Sequence, residues 1–314
     1  MSEKNVSRYE SFSQIVKGLF FLLLVLQFAP TVFSNIKTLI EDALELKTKI
    51  GLLNINGMIY DSNFYTKKID EFSKAPEIKG LLIKINSPGG FPGSSQAIFS
   101  ELLKFKKKKP VVVVIENLCA SAGYYIACAS DKIICNSSSM VGSIGGWIGI
   151  PNVKELLNSW KIKFQYIQSG EYKTAGSPVK DLTEKEIKYF QNLSDVAYEQ
   201  FVRDVATARK LDVKNQEKWA DGKIFMGTQA LSLKLVDQIG TFQDGISVIK
   251  TLAKIPGEIK LVTPAKASGF ARLLGYADED YGMESERSFA DVIACFASDV
   301  YKKFLMYQAQ PTVN

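Results

Sequence analysis

Three short segments of the 314-residue chain combine small residues with a polar group at the end of an apolar, strand-like run. They are Ser87-Pro88-Gly89-Gly90, Cys119-Ala120-Ser121-Ala122-Gly123-Tyr124-Tyr125 and Gly170-Glu171-Tyr172-Lys173. In an open α/β sheet ligands gather at the carboxyl ends of strands, so these positions suggest one common site. Ser121 lies among small residues where a helix follows a strand, which would put its hydroxyl beside helix N-terminal amides able to stabilise an oxyanion. The same placement suits a plain helix N-cap, and the strand-turn-helix pattern alone leaves both readings open. Gly89 and Gly90 would let backbone amides approach a substrate carbonyl, or would simply form a tight turn. A phosphate-binding P-loop does not fit, because GxxxxGK[ST] is absent.

The chain contains no histidine. A Ser/His/Asp or Cys/His nucleophile system, an HExxH zinc site and a haem with a proximal histidine are therefore excluded. A nucleophilic serine would need a lysine as its base, and a lysine serves only when apolar burial lowers its pKa from about 10.4 towards neutrality. Lys173 follows FQYIQSG, which reads as a strand, and precedes the small residues Thr174-Ala175-Gly176-Ser177-Pro178. Composition does not select it over the other lysines. The four cysteines, at 119, 128, 135 and 295, form no CxxC pair and read as buried free thiols, with neither a metal site nor a disulfide framework. The balance of 39 Lys+Arg against 33 Asp+Glu gives a small net charge of +6, concentrated at Lys104 and residues 106–109. No nucleic-acid partner and no cofactor are expected.

The elements that would position these residues alternate along the chain. KIGLLNINGMIY, IKGLLIKINSP, PVVVVIEN, DKIICN and FQYIQSG read as strands, interleaved with amphipathic helices such as NFYTKKIDEFSKA and GSSQAIFSELLKFKKKK. Such alternation predicts βαβ crossovers and a parallel sheet with helices outside it. A long helix should begin at the capping box Thr183-Glu184-Lys185-Glu186. The lysine run closes one helix just before Pro110, where cations suit the C-terminal dipole. Between Lys17 and Lys37 lie 19 uncharged residues, close to the span of about 20 that crosses a membrane. With no polar face and no good A-x-A site, the run reads as an uncleaved anchor, the alternative being a cleaved signal. The expected organisation is an N-terminal tail over 1–17, an anchor over 18–36, a linker over 37–48 and a soluble domain over 49–265. Residues 266–314 would then form a flexible segment and a C-terminal amphipathic helix.

With these elements in place, the sequence resembles the signal peptide peptidase A family (SppA, with its SohB relatives), membrane-bound serine proteases with a serine-lysine dyad. The resemblance rests on Ile85-Asn86-Ser87-Pro88-Gly89-Gly90, Ala120-Ser121-Ala122-Gly123-Tyr124-Tyr125, Val141-Gly142-Ser143-Ile144-Gly145 and Ser169-Gly170-Glu171-Tyr172-Lys173. Ala220-Asp221-Gly222-Lys223 and the run from Ala230 to Asp237 extend it to about residues 50–250. The motifs keep the family's order and spacing, with Ser143 and Lys173 lying 22 and 52 residues after Ser121.

The resemblance implies an α/β fold of ClpP/crotonase-like repeated β-β-α units. It implies that Ser121 attacks the scissile carbonyl, that Lys173 is the general base, that Ser143 orients the lysine, and that the amides of Gly90 and Ala122 form the oxyanion hole. Ala122 stands where the family usually has glycine, and a positive φ there would cost roughly 1–2 kcal/mol. It further implies peptide substrates such as signal peptide remnants, and homo-oligomeric rings whose active sites are shared between neighbouring subunits. The corresponding location is the bacterial inner membrane, single-pass, with the catalytic domain on the extracytoplasmic side. The charges flanking the apolar run balance and do not set the orientation. A non-catalytic scaffold and a crotonase-type acyl-CoA enzyme are the competing classes. The first does not explain the intact Ser121, Ser143 and Lys173, and the second explains neither the anchor nor the pairing of Ser121 with Lys173.

Overall fold

A computed structural model describes residues 17–22, 27–30, 32–34 and 48–264. The expected N-terminal tail, linker, flexible segment and C-terminal amphipathic helix lie outside the described residues. Helix α1, Lys17–Ser34, is long and apolar enough to cross a membrane, with a mean hydropathy of 1.6; a signal sequence has the same character. It belongs to a unit of its own, separate from the one that begins at Thr48.

The second unit is an α/β structure around a mostly parallel sheet. Strands β1 (Thr48–Ile59), β2 (Ile78–Gly90) and β3 (Val111–Ala120) form its centre and are joined by α2 (Asn63–Lys74) and α3 (Pro92–Lys106). After β3 come α4 (Ala122–Ala127), β4 (Lys132–Cys135), β5 (Met140–Gly142) and α5 (Lys154–Ser159). The chain continues with α6 (Glu184–Arg209), a 3-10 turn, β6 (Ile224–Met226), α7 (Gly227–Ser232), β7 (Gln238–Ile239), α8 (Phe242–Leu252) and β8 (Ile259–Val262). The sheet order is β6-β5-β3-β2-β1-β8, with β4 on β3 and β7 on β4; among the described residues only the β5–β6 pair is antiparallel.

Parallel strands covered on both faces read as unbroken apolar runs, and here the two faces can be separated by alternation. Val111, Val113, Ile115, Leu81, Ile83 and Ile85 pack on the side of α2, α3, α4 and α6. Val112, Val114 and Leu82 pack with Ile249 of α8 on the other. The helix ends fit the sequence reading. Thr183 and Glu186 exchange the two capping bonds of α6, at 2.9 and 3.2 Å. Lys109 closes the preceding helix instead of its own, its Nζ donating to the carbonyls of Phe72 (2.8 Å) in the last turn of α2 and of Ala75 (2.7 Å) at its C-cap.

The carboxyl ends of the central strands depart from a regular ladder. Register shifts fall between Asn56 and Met58 on β1 and between Ile85 and Ser87 on β2. β3 changes neighbours along its length, pairing with β4 over Val112–Ile115 and with β5 over Leu118–Ala120. Bulges of this kind bend strands and re-aim side chains. The expected strand FQYIQSG is not a strand. Phe164, Tyr166 and Ile167 are exposed, and no ladder forms there among the described residues.

Candidate active site

Ser121 is the hinge between β3 and α4. Its amide donates to the Gly142 carbonyl of β5 (2.8 Å), and its carbonyl accepts from the Tyr125 amide (2.9 Å), which opens the helix. Between these bonds the backbone adopts φ 50° and ψ −124°, a left-handed φ that costs a non-glycine residue roughly 1–2 kcal/mol. The side chain makes no capping bond to α4, so the N-cap reading of the hydroxyl does not hold. Ser121 is partly exposed, and its hydroxyl has no hydrogen-bond partner among the described residues. Ala122, as the first residue of α4, has no intrahelical partner for its amide. Its φ is not positive, so the strain that glycine would relieve sits at the serine itself and alanine is accommodated.

The end of β2 lies against this turn. Gly89 has φ +116°, and a Cβ on it would stand 2.8 Å from the Ser121 Cβ and 3.1 Å from the Ala122 nitrogen. The Phe91 amide donates to the Ile59 carbonyl of β1 (2.9 Å). Successive amides of an extended strand point to opposite edges, so the Gly90 amide is turned away from β1, to the side of β3 where Ser121 sits. Ser143 follows Gly142 as Ser121 follows Ala120, and Ala120 and Gly142 are register partners. It too is a left-handed non-glycine residue (φ 51°), held by a bond from its amide to the Lys223 carbonyl (2.7 Å).

A cavity of about 100 Å³ opens beside Ser121, Ala122 and Gly90. Its walls include Tyr125 of α4 and Ala197, Gln200 and Phe201 of α6. The Tyr125 ring packs on Phe99 at 4.8 Å and on Phe201 at 5.0 Å, and its hydroxyl donates to the Asp204 carboxylate. Burial, reinforced by that carboxylate, pushes the Tyr125 phenol far above its ordinary range, so it stays a donor. The α6 wall was not read from the sequence, where only the start of that helix is marked, by its capping box. Three cysteines near the site are not alternative nucleophiles. Cys119 and Cys128 are fully buried, and burial pushes their thiols well up; burial brings Cys135 up to about 11.

The structure brings Ser121, Gly90 and Ala122 to one cavity and places Ser143 next to Gly142, whose carbonyl bonds the Ser121 amide. It does not bring Lys173 to them within one chain. Lys173 is exposed in the turn after Gly170, with its amide on the Gly170 carbonyl (3.2 Å), and it does not line the cavity. The segment leading to it exposes large apolar side chains, including Trp147 at 86% and Ile167 at 98%.

Comparison with known proteins adds a second line. The sequence profile described as Peptidase family S49 matches residues 103–256. The chain is 34% identical over 234 residues to a candidate protease of Methanocaldococcus jannaschii, covering 71% of this chain and 75% of that protein. It is 35% identical over 260 residues to a candidate signal peptide peptidase SppA of Enterococcus faecium, covering 76% and 75%. It is 28% identical over 207 residues to the chloroplastic serine protease SPPA of Arabidopsis thaliana, covering 66% and 31%. The chain thus belongs to peptidase family S49 and is a serine peptidase.

Proposed function

We propose that the protein is a membrane-anchored endopeptidase that cleaves remnant signal peptides and other apolar, extended peptides through an acyl-enzyme. The observation that carries this reading is the Ser121 hydroxyl, uncapped and unpartnered on a strained turn at the mouth of an apolar cavity. Ser121 Oγ attacks the scissile carbonyl and passes its proton to Lys173 Nζ. The carbonyl oxygen takes the negative charge and is held by the amides of Gly90 and Ala122. When the tetrahedral intermediate collapses, the lysine ammonium returns the proton to the leaving amine, and water then hydrolyses the ester. Ser143 orients the lysine through its hydroxyl. Helix α1 serves as the anchor.

In this reading Lys173 comes from a neighbouring subunit. Its exposure in a single chain, on a segment with uncovered Trp147, Trp160, Phe164 and Ile167, supports an assembly that buries both the segment and the amine. Ser121→Ala and Lys173→Ala enzymes are each expected to be inactive. Co-expressed, they should recover about one quarter of the wild-type rate, the share of sites that random pairing completes in a head-to-tail ring. A co-expressed pair that stays inactive while each variant still assembles would rule out the shared site.

The cavity bears on the substrate. At about 100 Å³ it is smaller than the roughly 150 Å³ void that accepts a benzene ring, so it fits a short aliphatic side chain next to the cleaved bond. Peptides with Ala, Val or Leu at that position should be cleaved in preference to those with Phe. Phe201→Leu should raise the Phe-to-Leu ratio of kcat/KM by about tenfold or more, as removal of one pocket wall typically does. Competition between paired fluorogenic peptides measures this ratio; an unchanged ratio would place the substrate side chain elsewhere.

A further inference from the structure

Ser87 is fully buried in β2, and its hydroxyl has a partner on each side. It donates to the Gly57 carbonyl of β1 (2.6 Å) and accepts from the Gly89 amide (3.1 Å). Both partners are glycines with positive φ, +67° at Gly57 and +116° at Gly89, and both stand at the register shifts that end the regular ladder. One hydroxyl therefore ties together the two irregular strand ends. A buried position needing only volume would be filled by an apolar side chain, as Ile83 and Ile85 fill the same strand, because a buried hydroxyl is costly unless bonded.

The same side chain reaches the other half of the site. Gly123, in the first turn of α4, sits directly over Ser87; a Cβ on it would lie 3.2 Å from the Ser87 carbonyl oxygen and 3.4 Å from its Oγ. Ser87 thus holds the Pro88–Gly89 peptide, the unit just before the one that carries the Gly90 amide, by a hydrogen bond, and the first turn of α4 packs closely over it at Gly123. We propose that Ser87 is a positioning residue that aims the Gly90 amide at the developing oxyanion. This rests on the reading of Ser121 as nucleophile and of Gly90 as an oxyanion donor, and it adds a role that neither residue provides. Without the hydroxyl, the Gly89 amide loses its partner, and the Pro88–Gly89 peptide, whose orientation sets the direction of the Gly90 amide that follows, is free to rotate. The ground-state substrate is still bound by the cavity, so the loss falls on the transition state.

The test uses the full chain, with active sites titrated to completion by a fluorophosphonate, and compares wild type, Ser87→Ala and Ser87→Thr. Per titrated site, Ser87→Ala should lower kcat by about 10- to 100-fold with KM within about twofold, somewhat less than deletion of a donor outright. A peptide boronic acid, whose adduct places an oxygen in the oxyanion position, should lose affinity in parallel, while an unreactive peptide of the same sequence should not. Ser87→Thr, which keeps the hydroxyl, should recover most of both. If Ser87→Ala lowers only the melting temperature or the number of titratable sites, with kcat per site unchanged, Ser87 is structural and the proposal fails. Equal weakening of the boronic acid and the unreactive peptide also overturns it. Hydrolysis by Ser121→Ala at the wild-type rate would instead overturn the underlying reading of the nucleophile.

Discussion

Ser121→Ala is expected to remain folded and to lose peptide hydrolysis, with kcat/KM falling by about 10⁴-fold or more, as for other nucleophile deletions. The side chain contributes no hydrogen bond to the fold, so its removal should leave the melting temperature close to wild type. A sharper expectation concerns Ser121→Gly. Glycine reaches φ 50° and ψ −124° without a Cβ penalty, so it relieves strain that alanine keeps. After the extra chain entropy of glycine is subtracted, the gain should be about 0.5–1 kcal/mol, a rise of roughly 2–4 °C per kcal/mol for a domain of this size. An inactive glycine variant more stable than both alanine and wild type would show that the fold holds a serine here at a cost. Either of two results would count against the assignment: residual hydrolysis by the alanine variant, or a glycine variant that melts lowest of the three.

Gly90→Ala should be nearly as damaging for a different reason. A Cβ on Gly90 would lie 2.1 Å from the Ile59 carbonyl oxygen and 2.6 Å from its nitrogen. These are backbone atoms of the neighbouring strand, so no flexible side chain can give way. Either β1 and β2 part at their ends or the Gly89–Gly90 peptide moves, and each displaces the amide that faces Ser121. Overpacking of this kind typically costs about 1–3 kcal/mol in stability. Loss of one oxyanion donor costs about 10²–10³-fold in rate. Gly93→Ala is the control. Nothing lies within 4 Å of a Cβ there, in the first turn of α3, so activity should be unchanged and the melting temperature should hold or rise slightly, since alanine has less unfolded-chain entropy to lose than glycine. Wild-type kinetics in Gly90→Ala would mean that this amide takes no part in the chemistry.

Much of this arrangement is legible in the residues themselves. The run Val111-Val112-Val113-Val114-Ile115 can only be a strand covered on both faces, and Thr183 with Glu186 mark the start of α6 as the capping box predicts. The placement of Ser121 after an apolar strand and before a helix also follows from the sequence. What does not follow is backbone conformation at single residues. A positive φ, weighed for Ala122, falls one residue earlier at Ser121, because φ at a strand-helix junction is set by the bonds to Gly142 and Tyr125, which the sequence alone does not display. FQYIQSG has the composition of a strand but lacks a ladder partner, and propensity without pairing does not make a sheet. The cavity wall from α6 was invisible because its residues lie about 75 positions or more after Ser121 and meet it only through the fold.

Helix α6 has 26 residues, a rod about 39 Å long at 1.5 Å per residue. Its far half is fastened to the body by buried Phe201, Val202, Val205 and Ala206, by Asp204 on Tyr125, and by Arg209 on Asp237 at 2.9 Å. Its near half instead meets the turn around Lys173: the Tyr189 ring packs on Tyr172 at 5.0 Å and Lys185 pairs with Glu171 at 2.7 Å, while Ile187, Leu193 and Val196 stay uncovered. Ala197, Gln200 and Phe201 sit between these two sets of contacts. One rod therefore joins the residues that wall the cavity to the turn that holds Lys173, so the width of the pocket and the position of that turn share a single rigid support.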